Sequence, residues 1–339
     1  MAKTRNVHAL VISAVLLAAC SQSSAAPAAT TSATTTTTTI AASTTAATTT
    51  AAPTTIAPST TSTVLDLHAI PGHHLSGVPD SELILCKPTP TVAPAGTALA
   101  VPGYDDRPTM LQPAPDPGSP LLVVFHGQHG CIQNVQSRSD LDVIGAVAGV
   151  SVLWLSGAPL PARSWNTNGR CCEPASTQHV DDLAYLDAAM VAAKATGLTP
   201  TVVLSVGVSN GAGMAITAGC RRPDLFTGVV SVAGWMPITC GQAPLSLLVF
   251  GGTLDQKLGA RTAAGIAQTW QTQVTSCTGD PVVETFDRRT TTTWSNCANG
   301  TVVRLVQLED VPHVWPKFTF YDMDDDMIRF AQGEFAAAT

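Results

Sequence analysis

The sequence Gly207-Val208-Ser209-Asn210-Gly211 lies between an apolar run at 201–206 and a segment of small residues at 212–216. The apolar run is typical of a buried strand, and the segment after it is typical of a helix. A serine between two glycines at such a junction occupies a sharp turn. The glycines let neighbouring backbone pack closely while the serine hydroxyl stays exposed. The pattern therefore predicts a strand–turn–helix unit that presents Ser209 as a candidate nucleophile.

A serine hydroxyl becomes a nucleophile only when a base accepts its proton, and a histidine with a carboxylate partner can do this. An apolar run at 245–250 leads to a loop that carries Asp255, and another at 302–308 leads to a loop that carries His313. The carboxyl ends of parallel strands share one edge of a sheet, so we expect both loops near Ser209. These three residues form a candidate catalytic triad.

A further apolar run, 121–125, leads into His126-Gly127-Gln128-His129-Gly130. Acyl transfer requires N–H donors that face the oxyanion of the tetrahedral intermediate. We expect the donors to be the backbone N–H of Asn210, directly after the serine, and that of Gln128. The two histidines of this loop are alternatives as the base. They precede the serine in the chain, so we interpret them as structural or rim residues.

Short apolar runs alternate with helical segments over most of the chain. This alternation predicts an α/β fold with a mostly parallel central sheet and helices on both faces. The predicted strands are 121–125, 150–155, 201–206, 228–233, 245–250 and 302–308, and the predicted helices are 181–196, 210–220, 260–274 and 322–333. The segment at 80–111 is expected to add antiparallel edge strands. We interpret Asp181 and Asp182, at the start of a helix, as capping residues.

Several motifs occur in order along the chain: His126-Gly127, Trp165-Asn166, Cys171-Cys172, Val180-Asp181-Asp182, Gly207-Val208-Ser209-Asn210-Gly211, Arg222-Pro223-Asp224-Leu225-Phe226, Val232-Ala233-Gly234, Gly252-Thr253-Leu254-Asp255 and His313-Val314-Trp315-Pro316. Together these motifs resemble those of the extracellular polyhydroxybutyrate depolymerase and feruloyl or acetylxylan esterase group of the α/β-hydrolases. The resemblance covers residues 80–335 and implies an α/β-hydrolase fold, a Ser209–Asp255–His313 triad and hydrolysis of carboxylic esters. Polyester oligomers and acetyl or feruloyl esters of polysaccharides both fit as substrates.

Two other functions use the same scaffold. The chain could be a wall-anchored binding protein without catalytic activity, but the presence of all three triad residues argues against this. It could also transfer the acyl group to a wall polymer instead of water, which would need the same triad and a different acceptor site.

Trp165, Trp235 and Trp315 fall on loops expected at the carboxyl edge of the sheet. We expect these three tryptophans to bind substrate by lining a pocket for an acyl or aromatic-acid group. Packing in the core is the alternative.

The N-terminus predicts export. Lys3 and Arg5 precede an apolar run at 9–19, which ends in small residues before Cys20. This order is typical of a secretory signal peptide. A cysteine directly after Leu-Ala-Ala is also typical of bacterial lipoproteins, in which that cysteine is lipidated; an ordinary signal peptide is the alternative. We predict a lipoprotein signal peptide at 1–19 and a membrane anchor at Cys20.

Residues 20–63 are almost entirely Thr, Ala, Ser and Pro, without charges or apolar periodicity. Such a composition does not bury enough apolar surface to fold, so we predict a disordered stalk. The following residues, 64–339, suffice for one catalytic domain. The net charge of −7 and the absence of a basic patch argue against a nucleic-acid partner. We expect a monomer that faces the cell wall, with an ester substrate and the membrane as partners.

Eight cysteines remain beyond Cys20. An even number in an exported chain favours disulfides. We predict a Cys277–Cys297 bond, and we expect the adjacent Cys171 and Cys172 to pair with different partners. The cysteine spacings do not repeat, and no histidine lies at zinc-finger spacing, so we expect no metal site and no cofactor.

Overall fold

A computed structural model of the protein describes residues 66–71, 86, 93–158 and 162–334; the predicted signal peptide, Cys20 and the stalk lie outside the described residues. The strands are β1 Thr97–Ala98, β2 Met110–Gln112, β3 Leu121–Phe125, β4 Ser151–Leu155, β5 Val203–Val208, β6 Gly228–Val232, β7 Ser246–Gly252, β8 Val282–Phe286, β9 Arg289–Trp294, β10 Val303–Leu308, β11 Lys317–Phe318 and β12 Tyr321–Asp322. The α-helices are α1 Ile132–Ser139, α2 Leu141–Ile144, α3 Asp182–Ala195, α4 Asn210–Arg221, α5 Gly259–Thr269 and α6 Met323–Ala331. A π-helical turn, Trp270–Val274, continues α5, and 3₁₀ turns lie at Leu67–Ala69 and Ala298–Gly300.

The main sheet follows the order β1-β2-β4-β3-β5-β6-β7-β10-β9-β8. Its six central strands, which are β4, β3, β5, β6, β7 and β10, are parallel to one another. The strands β1 and β2 add an antiparallel edge on one side, and β9 and β8 add another on the far side. The predicted parallel sheet and the antiparallel strands before it are confirmed. The β8–β9 hairpin was not predicted, because β8 is exposed along its whole length and its residues, Val282-Val283-Glu284-Thr285-Phe286, do not alternate between apolar and polar.

The central strands are apolar throughout because helices cover both faces of the sheet. In β3, Leu121, Val123 and Phe125 pack in a cluster with buried residues of α3, α4 and α5. The alternating residues Leu122 and Val124 pack in a second cluster with α1, α2 and α6. The predicted arrangement of helices on both faces is thus confirmed.

Within the described residues four disulfides are present: Cys86–Cys131, Cys171–Cys172, Cys220–Cys240 and Cys277–Cys297. The structure forms the predicted Cys277–Cys297 bond. The expectation that Cys171 and Cys172 pair with different partners is wrong, because the two are bonded to each other across the cis peptide bond that joins them. Disulfides at this density are typical of proteins in oxidising compartments. Among the helices of the described residues, none combines the length and apolar content that a membrane span requires.

Candidate active site

Ser209 occupies the turn between β5 and α4. Its φ of 56° and ψ of −120° lie in a region that non-glycine residues rarely adopt. The backbone N–H of Ser209 donates to Val232 O at 2.9 Å, which ties the turn to β6. A Cβ on Gly207 would collide with the carbonyl oxygen of Gly211, and a Cβ on Gly211 with that of Phe125. Both glycines are therefore required for this turn, which has the geometry of a nucleophile elbow.

The structure brings Ser209, His313 and Asp255 together at the carboxyl edge of the sheet. The distance from Ser209 Oγ to His313 Nε2 is 3.0 Å, and that from His313 Nδ1 to Asp255 Oδ2 is 2.7 Å. Asp255 follows β7 and His313 follows β10, which are neighbouring parallel strands. A hydrogen-bonded chain of this kind lets the histidine accept the hydroxyl proton while the carboxylate holds the imidazole.

Asp255 is held by bonds to both of its oxygens. Oδ1 accepts hydrogen bonds from the backbone N–H groups of Lys257 and Leu258, each at 2.9 Å. Burial would by itself raise the pKa of Asp255, but the bonds from Leu258 N–H, His313 and Lys257 N–H outweigh it and hold that pKa below its ordinary value. An ionised carboxylate accepts the proton of His313 Nδ1, so Nε2 is the nitrogen that faces Ser209 without a proton.

The predicted oxyanion donors lie on two segments next to Ser209. Asn210 is the first residue of α4, so its N–H has no acceptor within the helix. The loop after β3 passes close to the serine. A Cβ placed on Gly127, for example, would lie 3.7 Å from Ser209 Cβ. Gln128 follows Gly127, and its exposed side chain donates to Glu173 O at 3.1 Å. The roles of these two backbone N–H groups stay predictions.

His126 is a buried structural residue, in line with our interpretation of the loop histidines. Gly157 N–H donates to His126 Nε2 at 2.9 Å. The proton is therefore on Nδ1, which donates to Gly127 O at 2.7 Å. Burial is the main cause that lowers the pKa of His126 from 6.5 to about 3. The imidazole thus stays neutral near pH 7 and fixes the conformation of the loop.

The neutral state of His126 predicts a pH-dependent stability. Unfolded chains protonate this residue near pH 6.5, whereas the folded protein protonates it only near pH 3. Between these values the unfolded state binds more protons, so stability falls as pH decreases, by up to about 1.4 kcal/mol per pH unit. Urea unfolding at pH 7, 6 and 5 measures this slope. The variant His126→Gln is expected to show a shallower slope, and equal slopes in the two proteins would contradict the assignment.

Two of the three tryptophans predicted to line the pocket do not do so. Trp165 is 0% exposed and Trp315 is 4% exposed, so both side chains lie in the core. Their indole N–H groups reach buried acceptors, His126 O and Asp324 Oδ1 respectively, which favours the inward orientation. Trp235 is half-buried beside the first turn of α4, where a Cβ on Gly213 would lie 3.1 Å from its ring. Its role in substrate binding stays a prediction.

A buried ion pair that the sequence did not predict lies behind the site. Asp181 caps α3 as predicted, since its side chain accepts from Ala184 N–H. Asp182 instead pairs with Arg107, with 2.6 Å between Oδ1 and the guanidinium nitrogen, and both side chains are buried. A helix start needs only one capping side chain, so the presence of a second aspartate indicated another role for one of the two. Arg107 lies before all the predicted parallel strands, and no sequence pattern connects it with Asp182. The sequence therefore did not indicate this pairing.

No family model matches the chain. A curated protein of Nocardia uniformis subsp. tsuyamanensis, named "Putative esterase NocK", is 33% identical over 128 residues, which are 37% of this chain and 36% of that protein. The matched part thus spans about a third of the length of that relative.

Among solved structures, an acetyl xylan esterase from Aspergillus awamori is similar to this chain with a TM-score of 0.51 at 14% identity. The alignment covers 68% of this chain and 98% of that structure. At this identity the similarity shows the fold alone. Together with the sheet order and the elbow, it identifies the fold as that of the α/β-hydrolases.

Proposed function

We propose that the protein is a serine esterase that hydrolyses carboxylic esters. The observation that carries this proposal is the hydrogen-bonded chain from Ser209 through His313 to Asp255, mounted on a strained elbow at the carboxyl edge of the sheet. The partial match to a protein named as an esterase supports the same chemistry.

In the proposed reaction, Ser209 Oγ attacks the ester carbonyl carbon while His313 Nε2 accepts the hydroxyl proton. The backbone N–H groups of Asn210 and Gln128 stabilise the oxyanion. The bond to the alcohol oxygen then breaks, and His313 returns the proton to the leaving alcohol. Water attacks the resulting acyl-serine with His313 again as base, which releases the acid and restores Ser209.

Two substrate classes fit this reaction: polyester oligomers of the polyhydroxybutyrate type, and acetyl or feruloyl esters of polysaccharides. We place Trp235, half-buried beside the first turn of α4, at the wall of the acyl pocket.

We further propose that the protein acts outside the cytoplasm and faces the cell wall, as an anchored or secreted monomer. A signal peptide at 1–19, a lipid at Cys20 and a stalk to residue 63 would place the catalytic domain at a distance from the membrane. The four disulfides support an oxidising compartment.

The test is hydrolysis of p-nitrophenyl acetate and butyrate by the purified, oxidised protein, followed by acetylated xylan, a feruloylated saccharide and hydroxybutyrate oligomers. We expect turnover of the short-chain esters that EDTA does not change. An absence of turnover from folded protein would favour a binding role. Turnover that appears only when an alcohol acceptor is added would favour acyl transfer instead of hydrolysis.

A further inference from the structure

Trp165 lies between the two segments that carry the proposed oxyanion donors, and it bonds to both. Its indole N–H donates to His126 O at 2.8 Å, two residues before Gln128. Its ring packs edge-on against the Phe125 ring and at a tilt of 44° against the His126 ring, each with 5.1 Å between ring centroids. The side chain of Trp165 therefore holds the end of β3 and the start of the loop.

The backbone of Trp165 holds the other segment. Its N–H donates to Asn210 Oδ1 at 2.8 Å, and Asn210 Nδ2 donates back to Trp165 O at 3.0 Å. This pair of bonds uses both ends of the Asn210 amide and fixes the residue directly after the proposed nucleophile. Asn210 is itself buried, so its side chain is not available to bind substrate.

The segment that carries Trp165 is in turn fixed from behind. Asp182 Oδ2 accepts from the N–H of Asn166, the next residue, at 2.7 Å, while Asp182 Oδ1 accepts from Arg107. The Arg107 guanidinium also donates to Ser156 O at 2.9 Å and lies over the Tyr185 ring at 3.7 Å from its centroid. Because these groups are buried and paired, they cannot shift without leaving a charge without a partner.

We propose that Trp165 is a positioning residue that sets the distance between the Gln128 and Asn210 backbone N–H groups in the oxyanion hole. Oxyanion donors act through their alignment with the developing charge, so a small displacement of either segment weakens them. Trp165 is buried and does not touch the substrate; it acts through His126 and Asn210. This inference rests on the proposed esterase function.

The variant Trp165→Phe tests the inference, because it removes the indole N–H and keeps an aromatic ring. Trp270→Phe is the matched control: Trp270 is also fully buried, and its indole N–H donates to a backbone carbonyl, Leu245 O, at 2.8 Å. We expect kcat for p-nitrophenyl butyrate to fall by about 10- to 100-fold in Trp165→Phe. KM is expected to stay within about twofold, since the oxyanion forms only after the substrate binds.

A boronic acid that forms a tetrahedral adduct with Ser209 provides a second readout. Its affinity is expected to fall with kcat in Trp165→Phe and to stay unchanged in Trp270→Phe, although both variants lower Tm. Asn210→Ala keeps the backbone N–H but removes the bonds to Trp165. Its effect on kcat is expected to be less than additive with that of Trp165→Phe, because both changes release the same contact.

Equal effects of the two tryptophan variants on kcat, or unchanged kcat and boronic acid affinity in Trp165→Phe, would overturn the inference while leaving the esterase function intact. If the wild-type protein has no turnover, the proposed function fails, and amide hydrogen exchange decides the inference alone. Exchange at residues 126–130 is expected to be about tenfold faster in Trp165→Phe than in wild type or Trp270→Phe. Unchanged exchange would overturn it.

Discussion

Replacing Ser209 with alanine is expected to lower kcat for p-nitrophenyl butyrate by at least about 10⁴-fold, because the change removes the attacking oxygen. The backbone of the elbow is fixed by its two glycines and by the bond to Val232 O, so the variant should fold as wild type does. Measured kcat and Tm together separate loss of chemistry from loss of structure.

Ser205→Ala is the matched control for this experiment. Ser205 lies on β5, the strand that leads into Ser209, and is buried, and its hydroxyl donates to Ala215 O at 3.0 Å. Its removal is expected to lower Tm and to leave kcat within about twofold, since a lost internal hydrogen bond affects folding stability. Equal turnover in wild type and Ser209→Ala would show that the elbow serine is not the nucleophile.

The second large effect is expected for Asp255→Asn, with a loss of about 10⁴-fold in kcat. Asp255 Oδ1 accepts from Lys257 N–H and Leu258 N–H, so the carbonyl oxygen of an asparagine is expected to take that position. Its NH₂ group would then face His313 Nδ1 and donate to it. The proton of the imidazole would move to Nε2, which could no longer accept the proton of Ser209.

Asp310→Asn provides the control for the loss of a carboxylate near the site. Asp310 is exposed on the loop before His313, and its backbone N–H donates to Thr253 Oγ1. Its φ of 57° is one that asparagine adopts readily. We expect kcat within about twofold of wild type. If kcat fell as much in Asp310→Asn as in Asp255→Asn, the negative charge near the site, and not the orientation of His313, would support turnover.

The central strands were predicted within two residues of their observed ends, and the geometry of the triad follows from them. A continuous apolar run marks a strand that is buried on both faces, and parallel strands bring the loops after β5, β7 and β10 to one edge. The loops that carry Ser209, Asp255 and His313 could therefore be placed together from the sequence.

The orientation of side chains on these loops could not be predicted. Trp165 and Trp315 turn inward because His126 O and Asp324 Oδ1 accept from their indole groups. These acceptors lie 39 and 9 positions away in the chain, on other elements of the fold. The ion pair between Arg107 and Asp182 joins residues 75 positions apart, with no pattern that connects them. Apolar periodicity locates an element in the fold, but it does not identify the partner of a buried polar group.

The most direct test of the proposed catalytic role of Ser209 is mass spectrometry of the folded protein after reaction with a fluorophosphonate. The reagent reacts with a serine whose proton a neighbouring base can accept. We expect one adduct per chain on the peptide that contains Ser209, and no adduct in Ser209→Ala. A stoichiometric adduct on another residue, or no adduct on protein that hydrolyses p-nitrophenyl butyrate, would contradict the assignment of Ser209 as the nucleophile.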